Sequence, residues 1–169
     1  MIASRRMRIL GVMVALMGSC CASATTWADS DLLVAARRGD LSQIKTLLGT
    51  KANVDARRGD GSTPLMAAST TGHLAVVQAL LAAKADVNAR MTNGATALMA
   101  AAAVGNRQVV RALLDAGADV NAKANDDLTA LLIASEGGFP GIVQALLAAK
   151  AEVNARTGNG VTPLMAASQ

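Results

Sequence analysis

Four threonines, Thr63, Thr96, Thr129 and Thr162, stand 33 residues apart, and each opens nearly the same string. The strings are TPLMAAS at 63–69, TALMAAA at 96–102, TALLIAS at 129–135 and TPLMAAS at 162–168. A repeat of this length rules out one irregular core. It requires a stack of like units, each of which buries its apolar faces only against its neighbours. Such a stack builds an extended surface and rarely a closed catalytic pocket.

Other positions keep the interval. The pairs Leu47-Leu48, Leu80-Leu81, Leu113-Leu114 and Leu146-Leu147 recur with it. So do Val54, Val87, Val120 and Val153, the series Asp55, Asn88, Asn121 and Asn154, and the series Gly39, Gly72, Gly105 and Gly138. Counting back from Thr63 reaches Ser30, followed by Asp-Leu-Leu-Val-Ala-Ala, which reads as a first copy. The expected copies are therefore about 30–62, 63–95, 96–128 and 129–161, with a partial copy at 162–169.

The second copy shows the local logic. The Thr63 hydroxyl is placed to cap a short helix. Pro64 stands at the first helical position, where its missing N–H costs nothing. Gly72 ends this inner helix and His73 leads into an outer one. There Val76, Val77, Leu80 and Leu81 form a buried stripe. Asp60-Gly61, Asn93-Gly94 and Asn159-Gly160 supply the positive φ of tight hairpin turns. The same plan predicts helices near 31–37 and 41–48, 97–103 and 107–115, and 130–136 and 140–148. Pro140 again falls at a helix start.

These motifs resemble the ankyrin repeat family, whose 33-residue unit is a β-turn and two antiparallel helices carrying T-P-L-H, G-H, V-V-x-x-L-L and G-A-D-V-N-A. The string DGSTPLMAASTTGHLAVVQALLAAKADVNAR at 60–90 is an almost complete unit. The resemblance implies an all-α solenoid over 29–169 and a role in binding another protein. Four features depart from the family pattern. Met66, Met99, Leu132 and Met165 replace the histidine of T-P-L-H, which removes a polar bridge and leaves an adaptable sulfur-rich stripe. Lys51, Lys84 and Lys150 replace a glycine that survives only as Gly117, so a lysine must hold a left-handed cap at some cost. Asp126-Asp127 replaces the Asn-Gly turn, which predicts a less well formed loop. The partial last copy lacks an outer helix, which predicts fraying of 161–169 unless the chain is a fragment or another chain covers it.

Composition places the first residues apart. The net charge of +4 includes Arg5, Arg6 and Arg8; without them, thirteen basic residues face twelve acidic ones. The high pI thus belongs to the leader and is poor grounds for nucleic-acid binding. A basic start, the apolar run Ile9–Met17 and the small-residue site Ala22-Ser23-Ala24 read as a cleavable export signal over 1–24. Cleavage after Ala24 comes first and cleavage after Ala28 second. Either would leave a mature chain without cysteine, since Cys20 and Cys21 are the only two. The expected location is periplasmic or secreted. The alternative is a lipid-anchored periplasmic scaffold, because Met17-Gly18-Ser19-Cys20 resembles a lipobox that would retain Cys20. The apolar run is too short for a membrane span.

Little in the chain suggests chemistry. His73, the one histidine, has no triad or HExxH spacing around it and sits where the family's G-H histidine is structural. One histidine without a mature cysteine makes no usual zinc site, and Asp119 with Asp126-Asp127 lacks the calcium-loop pattern. The expectation is no enzyme, cofactor or metal. Arg57, Arg90, Lys123 and Arg156 should align as a basic ladder, with Asp86, Asp119 and Glu152 as an acidic one beside it. These read either as solvated charges or as a dock for an acidic partner. Nucleic acid would call for more charge and stacking aromatics.

The resemblance also implies where a partner protein would bind: at loop tips and on inner-helix positions of the concave side. On this sequence those are Arg58, Ser62, Thr70 and Thr71 in copy two. They are Met91, Thr92, Ala95, Ala103 and Val104 in copy three, and Ala124, Asn125, Leu128 and Glu136 in copy four. Met91, Val104 and Leu128 read either as one small apolar patch beside Arg58 and Glu136 or as scattered exposed apolar residues, on a chain expected to be a monomer.

Overall fold

The computed structural model describes residues 23–167, with side chains described at 29–125 and 127–167. The leader up to Ala22, with Cys20, and the last two residues lie outside the described residues. Helices alternate between an inner and an outer row. The inner row is α1 (Ser23–Arg38), α3 (Pro64–Thr71), α5 (Ala97–Ala103), α7 (Ala130–Glu136) and the short α9 (Pro163–Ala166). The outer row is α2 (Leu41–Gly49), α4 (Leu74–Ala82), α6 (Arg107–Asp115) and α8 (Pro140–Ala148). Each inner helix packs on the next inner helix and on the outer helix of its own copy, and each outer helix packs on the next outer one. No strand occurs among the described residues. The expected all-α stack is what forms.

The periodic threonines start the inner helices as expected. Their hydroxyls accept the N–H of Met66, Met99, Leu132 and Met165 at 3.3, 3.4, 3.3 and 3.4 Å. Thr63, Thr96 and Thr129 are themselves buried, so these caps shield helix ends that water does not reach. Leu65, Leu98 and Leu131 lie in the core with Ala68, Ala101 and Ala134. Alanine at the tightest contacts lets neighbouring inner helices approach closely. The outer helices bury Val76, Val77 and Leu80, Val109, Val110 and Leu113, and Ile142 and Leu146. Leu81 is only half-buried, so the outer stripe is narrower than the sequence suggested.

The leucine pairs have a second use. Each outer helix ends in a Schellman motif, in which the N–H groups of the last two residues return to the carbonyls of the pair. Lys84 donates to Leu81 and Ala85 to Leu80, both at 3.0 Å. The first of these two donors must be left-handed, and Lys51, Lys84 and Lys150 adopt φ of 65, 66 and 68° where Gly117 has 87°. The lysines hold the cap as predicted, and strain is the cost. Lys84→Gly should raise stability by about 0.5–1 kcal/mol, because glycine enters this region freely while losing more freedom on folding. Urea titration followed by circular dichroism measures it.

Adjacent copies are joined by side chains that reach one copy onward. The side-chain oxygens of Asp55, Asn88 and Asn121 accept the N–H of Asp86, Asp119 and Glu152, each at 2.8 Å. Asn88 and Asn121 also donate through Nδ2, to the carbonyls of Gly117 and Lys150 at 3.2 and 3.4 Å. A carboxylate cannot make that second bond. Asp55→Asn, which gives this rung a donor for the Lys84 carbonyl, should therefore stabilise the stack by about 0.5–1 kcal/mol, read as an upward shift of the thermal midpoint.

Two expectations are corrected. The first copy's inner helix does not start at Ser30; it already runs from Ser23, and both suggested cleavage points, after Ala24 and after Ala28, fall within it. Ser30 is a mid-helix residue because Thr26-Trp27-Ala28-Asp29 lacks the turn glycine that precedes Thr63, Thr96 and Thr162. The loop at Asp126-Asp127 is not poorly formed. It closes with an Ala124 N–H to Leu128 carbonyl bond of 2.9 Å, matching its counterparts in other copies. Asp127, with φ of 58°, takes the left-handed position held elsewhere by Gly61, Gly94 and Gly160. Aspartate tolerates that region better than most residues.

The last inner helix forms with its cap, as a short turn over Pro163–Ala166. Leu164 and Met165 are 81% and 56% exposed there, whereas Leu65 and Met66 in the identical string are 1% and 3% exposed. No element among the described residues packs where a following copy would.

Candidate functional site

The inner face is built from loop tips and the exposed sides of inner helices. Each tip closes on the same pair of bonds or a near match: Arg58, Met91, Ala124 and Thr157 donate their N–H to the carbonyls of Ser62, Ala95, Leu128 and Val161, and Gly61, Gly94 and Gly160 donate back to the carbonyls of Arg58, Met91 and Thr157. Tips are also linked to one another, through Thr92 N–H to the Asp60 carbonyl and Asn125 N–H to the Asn93 carbonyl. These bonds join the tips at 58–62, 91–95 and 124–128 into one row.

A recess of about 420 Å³ opens on this face. It runs from Arg37 at the end of α1, past Arg58 and the helices α3 and α5, to Ile133 on α7. Met66, Met91 and Met99 lie in it with Ala67, Ala100 and Ala103. Met66 and Met99 are nearly buried, so the recess has an apolar floor continuous with the core.

Its polar rim is largely committed. The Ser62 hydroxyl donates to the Asp60 carboxylate at 2.6 Å, and the Ser62 N–H adds a second bond at 2.9 Å. The Ser62 hydroxyl, then its N–H, with a smaller contribution from the Arg58 charge, hold the Asp60 carboxyl below its ordinary pKa. This turn is thus complete at neutral pH and loosens only as pH falls below the ordinary carboxylate range. The Thr70 hydroxyl donates to the Met66 carbonyl at 2.9 Å, and that of Thr71 to the Ala67 carbonyl at 3.1 Å. Outside the recess, the Thr92 hydroxyl donates to the Asp60 carbonyl at 3.2 Å. Of the polar residues expected to contact a partner, these four spend their hydroxyls on the fold.

Arg58, Ser62, Thr70, Thr71, Met91 and Ala103 border this recess. Asn125, Leu128 and Glu136 border a second one of about 330 Å³, against the last copy. Thr92 and Val104 border neither. Of the two readings of Met91, Val104 and Leu128, the linings fit scattered residues better than one patch: Met91 and Leu128 border separate recesses, and Val104, 46% exposed where α5 ends, borders neither. Arg37 was missed although the period marks it, since 37, 70, 103 and 136 form one row along the inner helices. The first copy's departures from the pattern hid it.

The basic ladder is structural in part. Arg57 Nη1 donates to the Arg90 carbonyl at 3.1 Å, and Arg90 Nη1 to the Lys123 carbonyl at 2.8 Å. Each guanidinium thus staples its copy to the next. Lys123 instead lies 3.9 Å from the Asp127 carboxylate. The acidic ladder serves its own turns: Asp86 and Asp119 accept the N–H of Asn88 and Asn121. Arg57 and Arg90 are exposed, as solvated charges would be, and each in addition spends one N–H on the next copy.

His73 precedes α4 without capping it through its side chain. Its ring lies over Gly39, where an added Cβ would come within 2.6 Å of Nδ1. Asn106 and Phe139 cover Gly72 and Gly105 in the same way. His73 is therefore one member of a packing row. Among the described residues no cluster of histidine, cysteine and acidic side chains could hold a metal ion, and no helix is long and apolar enough to cross a membrane.

A family model of ankyrin repeats in three copies matches residues 32–124, and a model of the single ankyrin repeat matches 126–158. No curated protein matches the chain.

Proposed function

Because the chain belongs to the ankyrin repeat family, whose repeats generally serve as protein–protein interaction modules, we propose that it is a non-catalytic module that binds a partner protein through its concave face and loop tips. The observation that carries this reading is the recess on the inner helices, with its methionine and alanine floor shared by successive copies. An apolar floor within a polar rim suits protein recognition, and methionine adapts to varied side chains. The surface offers no tyrosine anchor, which favours contacts of modest affinity.

The test is capture of native partners by the purified chain and by a Met91→Asp/Ala103→Asp variant. A charge on the apolar floor should abolish capture; an unchanged set of partners removes the concave-face assignment. Both side chains lie outside the fully buried core, so the variant should keep its helical spectrum.

The basic, apolar and small-residue order of the leader supports export to the periplasm or beyond, by cleavage after Ala24 or Ala28. Cleavage after Ala28 would make Asp29 the first residue, and Asp29 already accepts the Asn53 N–H at 3.0 Å. The lipid-anchored scaffold is the second reading and keeps Cys20. The mature N-terminus, read by mass spectrometry, separates the two: Thr25 or Asp29 for the first, acylated Cys20 for the second.

A further inference from the structure

We infer that the recess between Arg37 and Ile133 takes an acidic, apolar segment of the partner: a stretch that sets a carboxylate against Arg37 and Arg58 and lays apolar side chains on the methionine floor. This rests on the concave-face reading and names the chemistry of what binds there.

The assignment follows from which polar groups around the recess still lack partners. Ser62, Thr70 and Thr71 have used their hydroxyls within the fold, and the Asp60 carboxylate is occupied by Ser62. Arg37 and Arg58 are exposed and border the recess, and neither guanidinium forms a hydrogen bond or an ion pair among the described residues, although the Arg58 charge is felt by Asp60. The contrast with the neighbouring Arg57 is informative, because that guanidinium is fixed on the Arg90 carbonyl. Arg37 and Arg58 also border a further recess of about 670 Å³ against α1, so they form a ridge reachable from either side. Two unspent guanidiniums at one end of an apolar trough complement a carboxylate, which guanidinium binds through paired N–H groups. A basic segment would meet like charge at the same place. The floor adds room for varied apolar residues, since methionine repacks readily and Ala67, Ala100 and Ala103 project little.

A random peptide library displayed on phage, panned on the purified full chain, tests this. The selected peptides should carry Asp or Glu next to apolar residues. Synthetic versions should lose affinity by about tenfold or more for the Arg37→Glu/Arg58→Glu variant, and versions with Lys in place of the acid should regain it on that variant. Both guanidiniums are exposed and make no side-chain bond among the described residues, so the variant should keep its helical spectrum, with a small loss of stability because Arg37 stands in the last turn of α1 and Arg58 lies near Asp60. An empty selection, peptides without acidic bias, equal affinity for both proteins, or binding of single-stranded DNA in place of peptide would each overturn the proposal. Native-partner capture lost in Met91→Asp/Ala103→Asp but kept in Arg37→Glu/Arg58→Glu would overturn it and leave the concave-face reading standing.

Discussion

Leu98→Ala is expected to lower the unfolding free energy by about 2–5 kcal/mol. Leu98 is 1% exposed on α5, which is gripped between α3 and α7. Removing its side chain forfeits burial and leaves a cavity that helices locked on both sides cannot close. The chain carries its own control. Leu164 occupies the same place in the same motif but is 81% exposed, and Leu164→Ala should change stability by less than about 0.5 kcal/mol. Urea unfolding followed by far-ultraviolet circular dichroism measures both. Equal losses at the two sites would mean that burial against the next copy is not what stabilises a copy. Stability in a stack is a sum over neighbouring interfaces, so Leu98→Ala should also broaden or split the transition by uncoupling the copies on either side.

Gly105→Ala should cost about 2–3 kcal/mol, for two separable reasons. The residue has φ of 74°, which strains any L side chain, and an added Cβ would lie 2.5 Å from the Phe139 ring. Gly138 has φ of 67° in the next copy with nothing near its Cβ position. Gly138→Ala should therefore show the strain alone, about 1 kcal/mol. The difference between them is the contact between copies, and a double-mutant cycle with Phe139→Ala should recover it as a coupling energy.

What the sequence disclosed depended on whether a feature lies within one copy or between two. Thr63, Leu65, Gly72 and Leu80 act inside a copy or on the face that every copy presents, so repetition alone revealed them. The left-handed lysines were legible because a Schellman cap needs that conformation whatever residue fills it. Ser30 misled because the interval carried its position back but not the missing turn glycine. Asp127 misled because the absence of glycine concealed that aspartate can take the same φ. The staples from Arg57 and Arg90 depend on how one copy is displaced against the next, which a single repeat unit does not encode. The division of Met91 from Leu128 has the same origin. Thr70 and Thr71 were placed correctly on the inner face, but their use as internal donors is a matter of rotamer and not of position.

Every hydrogen bond described here between copies joins immediate neighbours, as the reach of Asp55, Asn88, Asn121, Arg57 and Arg90 illustrates. Tension applied at the two ends would therefore be resisted by one seam at a time. Held in an optical trap, the molecule should yield in a staircase, each step releasing the length of one 33-residue unit, and should wind back in the same increments when slack returns.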